Sequence, residues 1–188
     1  MKKSTLTIIG VIIGIILLIG ITIGSTYNSI LNKSEDVEGM YANIDSQLQR
    51  RNDLIPNLVN TVKGFASQEK EVINSVTEAR SKLAGAQSIE EKSKADSELS
   101  SALSRLLVVV ENYPELKSNQ NFMQLSDELA GTENRIQVAR KNYNDAVKGY
   151  NLKIKKFPSN IIANMFGFEA KSYFEASEES KNVPNVQF

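Results

Sequence analysis

An apolar run near the start of the chain, Leu6 to Ile23, constrains the fold more than any other feature. It is 18 residues long and uncharged, and Thr7 and Thr22 are its only polar side chains. As an α-helix this run spans about 27 Å, close to the thickness of the hydrocarbon core of a bilayer. A cleaved signal peptide has a shorter apolar core, followed by small residues at its cleavage site. The length of the run therefore predicts an uncleaved membrane helix.

The charges on either side of this run predict its orientation. Lys2 and Lys3 precede it, whereas on the other side Lys33 is offset by the nearby acidic residues Glu35, Asp36 and Glu38. Cations that flank a membrane helix tend to stay in the cytoplasm. We therefore expect a single-pass protein of the cell membrane, with a cytoplasmic N-terminus and an extracytoplasmic domain.

Two glycines inside the run are candidates for a contact between membrane helices. Gly10 and Gly14 form a small-xxx-small pair, a spacing that lets two such helices approach closely. Glycine is also common in membrane helices that have no such contact. Both interpretations stay open at this point.

The residue types that the chain lacks exclude several kinds of active site. It has no histidine and no cysteine, which removes Ser-His-Asp triads, Cys-His pairs, the usual zinc sites and disulfides. It also has no glycine-rich phosphate-binding motif. Lys+Arg and Asp+Glu both number 22, a balance that suits nucleic-acid binding poorly. We expect no enzyme activity, no cofactor or metal, no nucleic acid and no small-molecule substrate.

Beyond the membrane run, apolar residues recur at intervals of three and four as far as Phe157, which is typical of amphipathic helices in a bundle. The segment from Arg50 to Pro56 interrupts the first of them. Because proline disfavours the helical conformation in the residue before it, we predict a tight reversal at residues 52–55. The alternative is one long helix kinked at Pro56, because the apolar spacing continues through Ile55.

Later helix boundaries carry clearer signals. Ser88 and Glu91 have the spacing of a capping box before a third helix, and Pro114 follows that helix. Ser118 or Asn119 begins a fourth helix.

The C-terminal tail has a different composition, because apolar and aromatic residues crowd into residues 161–174. Apolar patches of this size are rarely left exposed on a monomer. We expect the tail to pack on the bundle, and a partner protein or the membrane interface are the alternative surfaces.

Polar residues around the predicted first reversal form a candidate partner surface. Its members are Asn43, Asp45, Arg50, Arg51, Asp53 and Asn57. Helix caps and ion pairs at a bundle end use the same residue types and are the simpler interpretation.

Polar residues of the fourth helix are candidates for a half-buried network between helices. They are Glu128, Glu133, Asn134, Arg135 and Arg140.

Three separated blocks of the sequence carry a family resemblance. They are YANIDSQLQRRNDLIPNLVNTVKGFASQEKEVINSVTEAR at Tyr41–Arg80, SDELAGTENRIQVARKNYNDAVKGY at Ser126–Tyr150 and FPSNIIANMFGF at Phe157–Phe168. Together they resemble the LemA family of bacterial membrane proteins. The resemblance implies a four-helix bundle, arranged up and down, on a single membrane helix. It implies no catalytic position, because the family has no agreed biochemical activity. Some relatives are associated with membrane zinc metalloproteases or with the organisation of bacterial membrane compartments.

The resulting prediction is an all-α fold in three parts. Residues 1–25 form a transmembrane anchor, residues 26–158 an antiparallel up-and-down four-helix bundle, and residues 159–188 a tail packed on or near the bundle. The predicted function is a non-enzymatic, membrane-anchored scaffold or adaptor. The alternative is a regulatory partner of an envelope enzyme such as a membrane metalloprotease. The expected partners are the membrane and either another protein or a second copy of the chain.

Overall fold

The computed structural model describes residues 3–174, with side chains from Thr7 onward. These residues form six helices: α1 (Lys3–Phe65), α2 (Lys70–Gly85), α3 (Ile89–Val110), α4 (Pro114–Lys117), α5 (Gln120–Lys155) and α6 (Ser159–Met165). Between residues 3 and 174 there is no strand. The all-α prediction is therefore confirmed for this part of the chain.

The described residues divide into two compact units. Unit 1 comprises residues 3–39 and 145–171, and unit 2 comprises residues 40–144 and 172–174. The predicted division into residues 1–25, 26–158 and 159–188 stays a prediction. Its last part, residues 175–188, lies outside the described residues.

The N-terminal part of α1 is apolar on all of its faces. Among the described helices, α1 is the one long and apolar enough to cross a membrane, and its most apolar segment is not buried. Ile16, Leu18 and Ile21, for example, all have exposed side chains. A helix that is apolar all round needs an apolar surrounding. This part of α1 therefore indicates membrane anchoring, as the sequence predicts.

The predicted reversal at residues 52–55 is wrong, because α1 continues through Pro56 and ends at Phe65. The chain instead leaves the helix between Phe65 and Lys70. An interior proline costs a helix about 3 kcal/mol. Ile55, Leu58 and Val62 are all buried, and each such side chain contributes about 1.5–3 kcal/mol. Burial of this seam therefore outweighs the cost of the proline.

Arg80 compensates for the hydrogen bond that Pro56 removes. Because proline has no N–H, the carbonyl of Asn52, four residues earlier, loses its usual helical donor. Arg80 Nε of α2 donates to this oxygen at 3.0 Å. Asn52 is buried, where an unpaired carbonyl is costly. The proline thus creates a polar site on α1 to which α2 binds.

We expect Arg80→Met to lower the free energy of unfolding by about 1–3 kcal/mol, because it leaves the buried Asn52 carbonyl unpaired. In a Pro56→Ala background the restored N–H of residue 56 donates to this carbonyl. Arg80→Met should then lower the free energy of unfolding much less. A double-mutant cycle on the full chain in detergent, unfolded with urea, measures the difference. Arg105→Met, which changes an exposed arginine, is the control. Equal costs of Arg80→Met in both backgrounds would contradict this account.

The predicted starts of the later helices are confirmed. Ser88 Oγ accepts a hydrogen bond from the Glu91 N–H at 3.1 Å, and the Glu91 carboxylate accepts one from the Ser88 N–H at 3.2 Å. Hydrogen bonds from the N–H groups of Gln87 and Ser88 lower the pKa of Glu91. At the start of α5, Asn119 Oδ1 accepts a hydrogen bond from the Phe122 N–H at 3.1 Å.

The core of unit 2 is built from the predicted apolar stripes. Its buried members include Ile44, Leu48, Ile55, Leu58, Val62, Val76, Leu83, Leu99, Leu106, Ile136 and Tyr143. Each lies at helical spacing from its neighbours on the same helix. Ion pairs at the edge of this core also join helices: Lys82 of α2 pairs with Glu98 of α3, and Lys92 of α3 pairs with Asp45 of α1.

In unit 1, residues that follow α6 lie against α5. The Tyr150 hydroxyl donates to the Glu169 carbonyl at 2.9 Å. The Asn151 side chain binds both the N–H and the carbonyl of Lys171, each at 2.9 Å.

The apolar stripe predicted from the sequence continues to Phe157, but the Phe157 side chain is 80% exposed. The stripe therefore ends at Ile154.

Candidate functional site

A group of charged side chains in unit 2 contains two buried residues, Arg51 and Asp96, and two half-buried ones. Its members are Arg51 of α1, Asp96 of α3, and Glu133 and Arg140 of α5, and we refer to these four residues as the charge cluster. Arg51 Nη1 lies 2.6 Å from Asp96 Oδ1 and 2.8 Å from Glu133 Oε2. Arg140 Nη2 donates to the other oxygen of Asp96. The Asp96 side chain is 0% exposed and that of Arg51 is 5% exposed.

Ordinary helix geometry brings these charges into the core. Residues three or four apart lie on one face of a helix. Three members of the charge cluster therefore share a face with a buried apolar residue three positions away. The pairs are Arg51 with Leu48, Asp96 with Leu99, and Arg140 with Tyr143.

The charge cluster is an ionic network in which some buried polar atoms have no hydrogen-bond partner among residues 7–174. Burial raises the pKa of the Asp96 carboxyl, and the guanidinium groups of Arg51 and Arg140 oppose that rise. Within the described residues, the buried Nε atoms of both arginines have no hydrogen-bond partner. A buried network of this kind contributes little net stability, because desolvation offsets the attraction. We interpret it as an element that fixes how α1, α3 and α5 pack.

Residues 172–174 lie beside the charge cluster. The Arg140 guanidinium carbon is 4.7 Å from the centre of the Phe174 ring, in a cation–π contact. The Asn144 side chain binds the Phe174 N–H at 2.9 Å and the Phe174 carbonyl at 3.0 Å. The Tyr143 hydroxyl donates to the Ser172 carbonyl at 2.8 Å. This part of the tail is therefore fixed to α5 by backbone and side-chain contacts.

The predicted partner surface is not a single exposed surface. Arg51 is buried in the charge cluster, where it is 4% exposed, so it is not available to a partner. The other five predicted residues are exposed on α1: Asn43, Asp45, Arg50, Asp53 and Asn57. Their role in docking stays a prediction.

Two of these exposed residues have ion-pair partners. Asp45 pairs with Lys92 of α3, and Arg50 lies 3.9 Å from Glu128 of α5. Such exposed pairs are worth about 0–1 kcal/mol. Loss of either pair should therefore change stability little.

The predicted network on the fourth helix is found in part. Glu133 and Arg140 belong to the charge cluster, whereas Asn134 and Arg135 are exposed. Sequence reasoning missed Asp96, the central acid. A search for charged residues at stripe positions would have found it, because Asp96 lies three residues before Leu99.

The glycines of the apolar run are exposed on α1. An added Cβ at Gly10 or Gly14 would meet no heavy atom within 4 Å. A contact between membrane helices at these two positions stays a prediction. Over the described part of the chain, no group of three or more carboxylates is placed to hold a metal ion.

Comparison with known proteins gives relatives with two kinds of name. The chain is 28% identical to magnetosome protein MamQ 2 of Paramagnetospirillum magneticum, over 79% of this chain and 64% of the relative. It is 26% identical to magnetosome protein MamQ of Magnetospirillum gryphiswaldense, over 78% of this chain and 64% of the relative. It is also 26% identical to protein LemA of Metamycoplasma hominis, over 80% of this chain and 69% of the relative.

The chain thus spans less than two thirds of the length of the MamQ proteins that it matches. The family match covers residues 40–188. That range includes all four members of the charge cluster and the tail residues beside it. The chain belongs to the LemA family.

Proposed function

We propose that the protein is a non-enzymatic, membrane-anchored scaffold or adaptor that holds a helical bundle outside the cytoplasmic membrane. One observation carries this proposal. Helix α1 contains both the exposed apolar run and, after it, the buried seam of unit 2. An anchor and a packing surface on one helix suit a protein whose role is to position a domain at a membrane. The names of the relatives state no enzymatic activity, which agrees with this role.

The proposal includes an antiparallel four-helix arrangement of unit 2. Lys92 of α3 contacts Asp45 of α1, and Asp96, further along α3, contacts Arg51, further along α1. Both sequence numbers rise together along these contacts. They therefore support α1 and α3 running in the same direction.

The contacts of α5 support the opposite direction for that helix. Glu133 lies against Arg51, while the ring of Tyr143, further along α5, lies 6.0 Å from that of Tyr41, earlier in α1. Arg80 of α2 contacts Asn52 of α1, which supports α2 running back alongside α1. These pairings are those expected of an up-and-down bundle.

Cross-linking from the exposed part of α1 tests the scaffold role. A photoreactive residue replaces Asn43 or Asp53 in the full chain, and cells are irradiated before the membranes are isolated. Val108 of α3, which is 70% exposed, is the control position. We expect a specific product with a second copy or with another envelope protein from Asn43 or Asp53, and not from Val108.

The identity of the product decides between the two functions. A second copy, or several non-enzymatic partners, supports the scaffold. A stoichiometric product with a membrane protease would instead support a regulatory partner of that enzyme. Products from Asn43 and Asp53 that match those from Val108 would contradict a docking surface on this part of α1.

A further inference from the structure

Four large apolar side chains in unit 1 are exposed around α6. Phe157, Ile161, Met165 and Phe166 are 80, 57, 59 and 50% exposed, respectively. We refer to these four residues as the α6 face. Large exposed apolar patches are rare on soluble monomers and usually mark a binding surface.

The end of α6 connects this face to α1. Gly167 has a φ of +72°, a conformation that favours glycine. The Phe168 N–H binds the Ala163 carbonyl at 2.9 Å, and the Gly167 N–H binds the Asn164 carbonyl at 3.4 Å. These bonds form a Schellman motif. The motif turns the chain so that residues on both sides of Gly167 reach the same part of α1.

Both aromatic rings that flank this turn contact Tyr27. The ring centres of Phe166 and Phe168 lie 4.8 and 5.6 Å from that of Tyr27. Tyr27 follows the apolar run by only four residues, which is about 6 Å along a helix. The headgroup region on each side of a bilayer is roughly 5–8 Å thick. If α1 crosses the membrane, Tyr27 lies in this region, and its ring contacts bring Phe166 to a similar depth.

The residues next to the α6 face are positively charged, which favours a location at the membrane surface. Lys155 and Lys156 immediately precede Phe157 and are exposed. Aromatic side chains are enriched at membrane–water interfaces, and lysines beside an apolar face attract anionic headgroups. The combination is typical of a surface that lies in the interface plane.

We propose that the α6 face lies in the headgroup region of the same bilayer that α1 crosses, and forms a second, non-spanning membrane contact. This inference rests on the proposed anchoring by α1. Lipid is the surface that covers this face, because the ring contacts with Tyr27 place it next to the membrane anchor. The contact restricts how unit 1 moves at the membrane.

Tryptophan fluorescence tests the proposal, since the chain has no tryptophan. Phe157→Trp and Met165→Trp are made separately in the full chain, which is reconstituted into phosphatidylcholine–phosphatidylglycerol vesicles with or without brominated acyl chains. We expect a blue-shifted emission and at least about twofold quenching by the brominated lipid for both variants. Val108→Trp, at an exposed position of unit 2, should show neither effect.

A further control separates this inference from the anchoring on which it rests. Ile16→Trp, within the apolar run, should be quenched by brominated lipid whenever α1 is inserted. Quenching at Ile16 without quenching at Phe157 and Met165 overturns the second contact and leaves the anchor intact. A blue shift at Phe157 without lipid quenching also overturns it and indicates a protein occupant. Absence of quenching at all three positions overturns the anchor itself.

Discussion

Asp96→Leu should lower the free energy of unfolding by about 3–5 kcal/mol, because it leaves the buried Arg51 and the half-buried Arg140 without their shared carboxylate. Arg51 is almost fully buried, and Arg140 is 21% exposed. Glu133 still pairs with Arg51, but it does not replace the contact that Asp96 makes with Arg140. Urea unfolding of the full chain in detergent, followed by circular dichroism, measures the loss.

Replacement of the whole charge cluster provides the control. The combined variant Arg51→Met, Asp96→Leu, Glu133→Gln, Arg140→Met removes the charges of all four members together. Such replacements are often neutral or stabilise by 1–4 kcal/mol as a rough guide. We expect the combined variant to be more stable than Asp96→Leu alone. A combined variant less stable than the single one would contradict the view that the cluster fixes geometry rather than supplying stability.

The pH dependence of this contribution has a definite sign. Burial raises the pKa of Asp96 above its ordinary value of 3.8, so the native state binds this proton more tightly than the unfolded state does. The stability that Asp96 contributes should therefore decline as the pH rises through the interval above 3.8. The difference in unfolding free energy between the wild type and Asp96→Asn, measured across this interval, reports the effect.

Phe174→Ala should also destabilise the protein by about 3–5 kcal/mol, the usual range for removal of a buried phenylalanine. Phe174 is 2% exposed, and its ring carries the contact with Arg140. The neighbouring Tyr173 is 44% exposed and is the matched control, because Tyr173→Ala should change stability by no more than about 0.5 kcal/mol. Thermal unfolding of both variants measures the difference. Equal effects would show that residues 172–174 add no core packing to unit 2.

Helical periodicity predicts most of the fold because it depends on local spacing alone. It identifies the seams that include Leu48, Val76, Leu106 and Ile136, all of which are buried. The capping signals at Ser88 and Asn119 are local as well, and both predicted starts are confirmed. Periodicity gives no information on how far a stripe stays covered, which explains why the predicted extension of the stripe to Phe157 is wrong.

The two main departures depend on contacts that are distant in sequence. The path of α1 through Pro56 depends on burial of the surrounding seam and on Arg80, 24 residues later. The charge cluster depends on residues from three helices, so no local pattern reveals its pairing. A rule that flags charged residues on apolar stripes would identify Arg51, Asp96 and Arg140 as candidates. Only the packed structure shows that they contact one another.

Cysteine accessibility in intact cells tests the central claim, that α1 anchors an extracytoplasmic helical domain. The chain has no cysteine, so Lys2→Cys and Val108→Cys each provide a single thiol in the full-length protein. Val108 is exposed, and a membrane-impermeant maleimide is applied before and after permeabilisation. We predict that Val108→Cys is labelled in intact cells, whereas Lys2→Cys is labelled only after permeabilisation. Protection of Val108→Cys until the membrane is permeabilised would contradict the outward orientation.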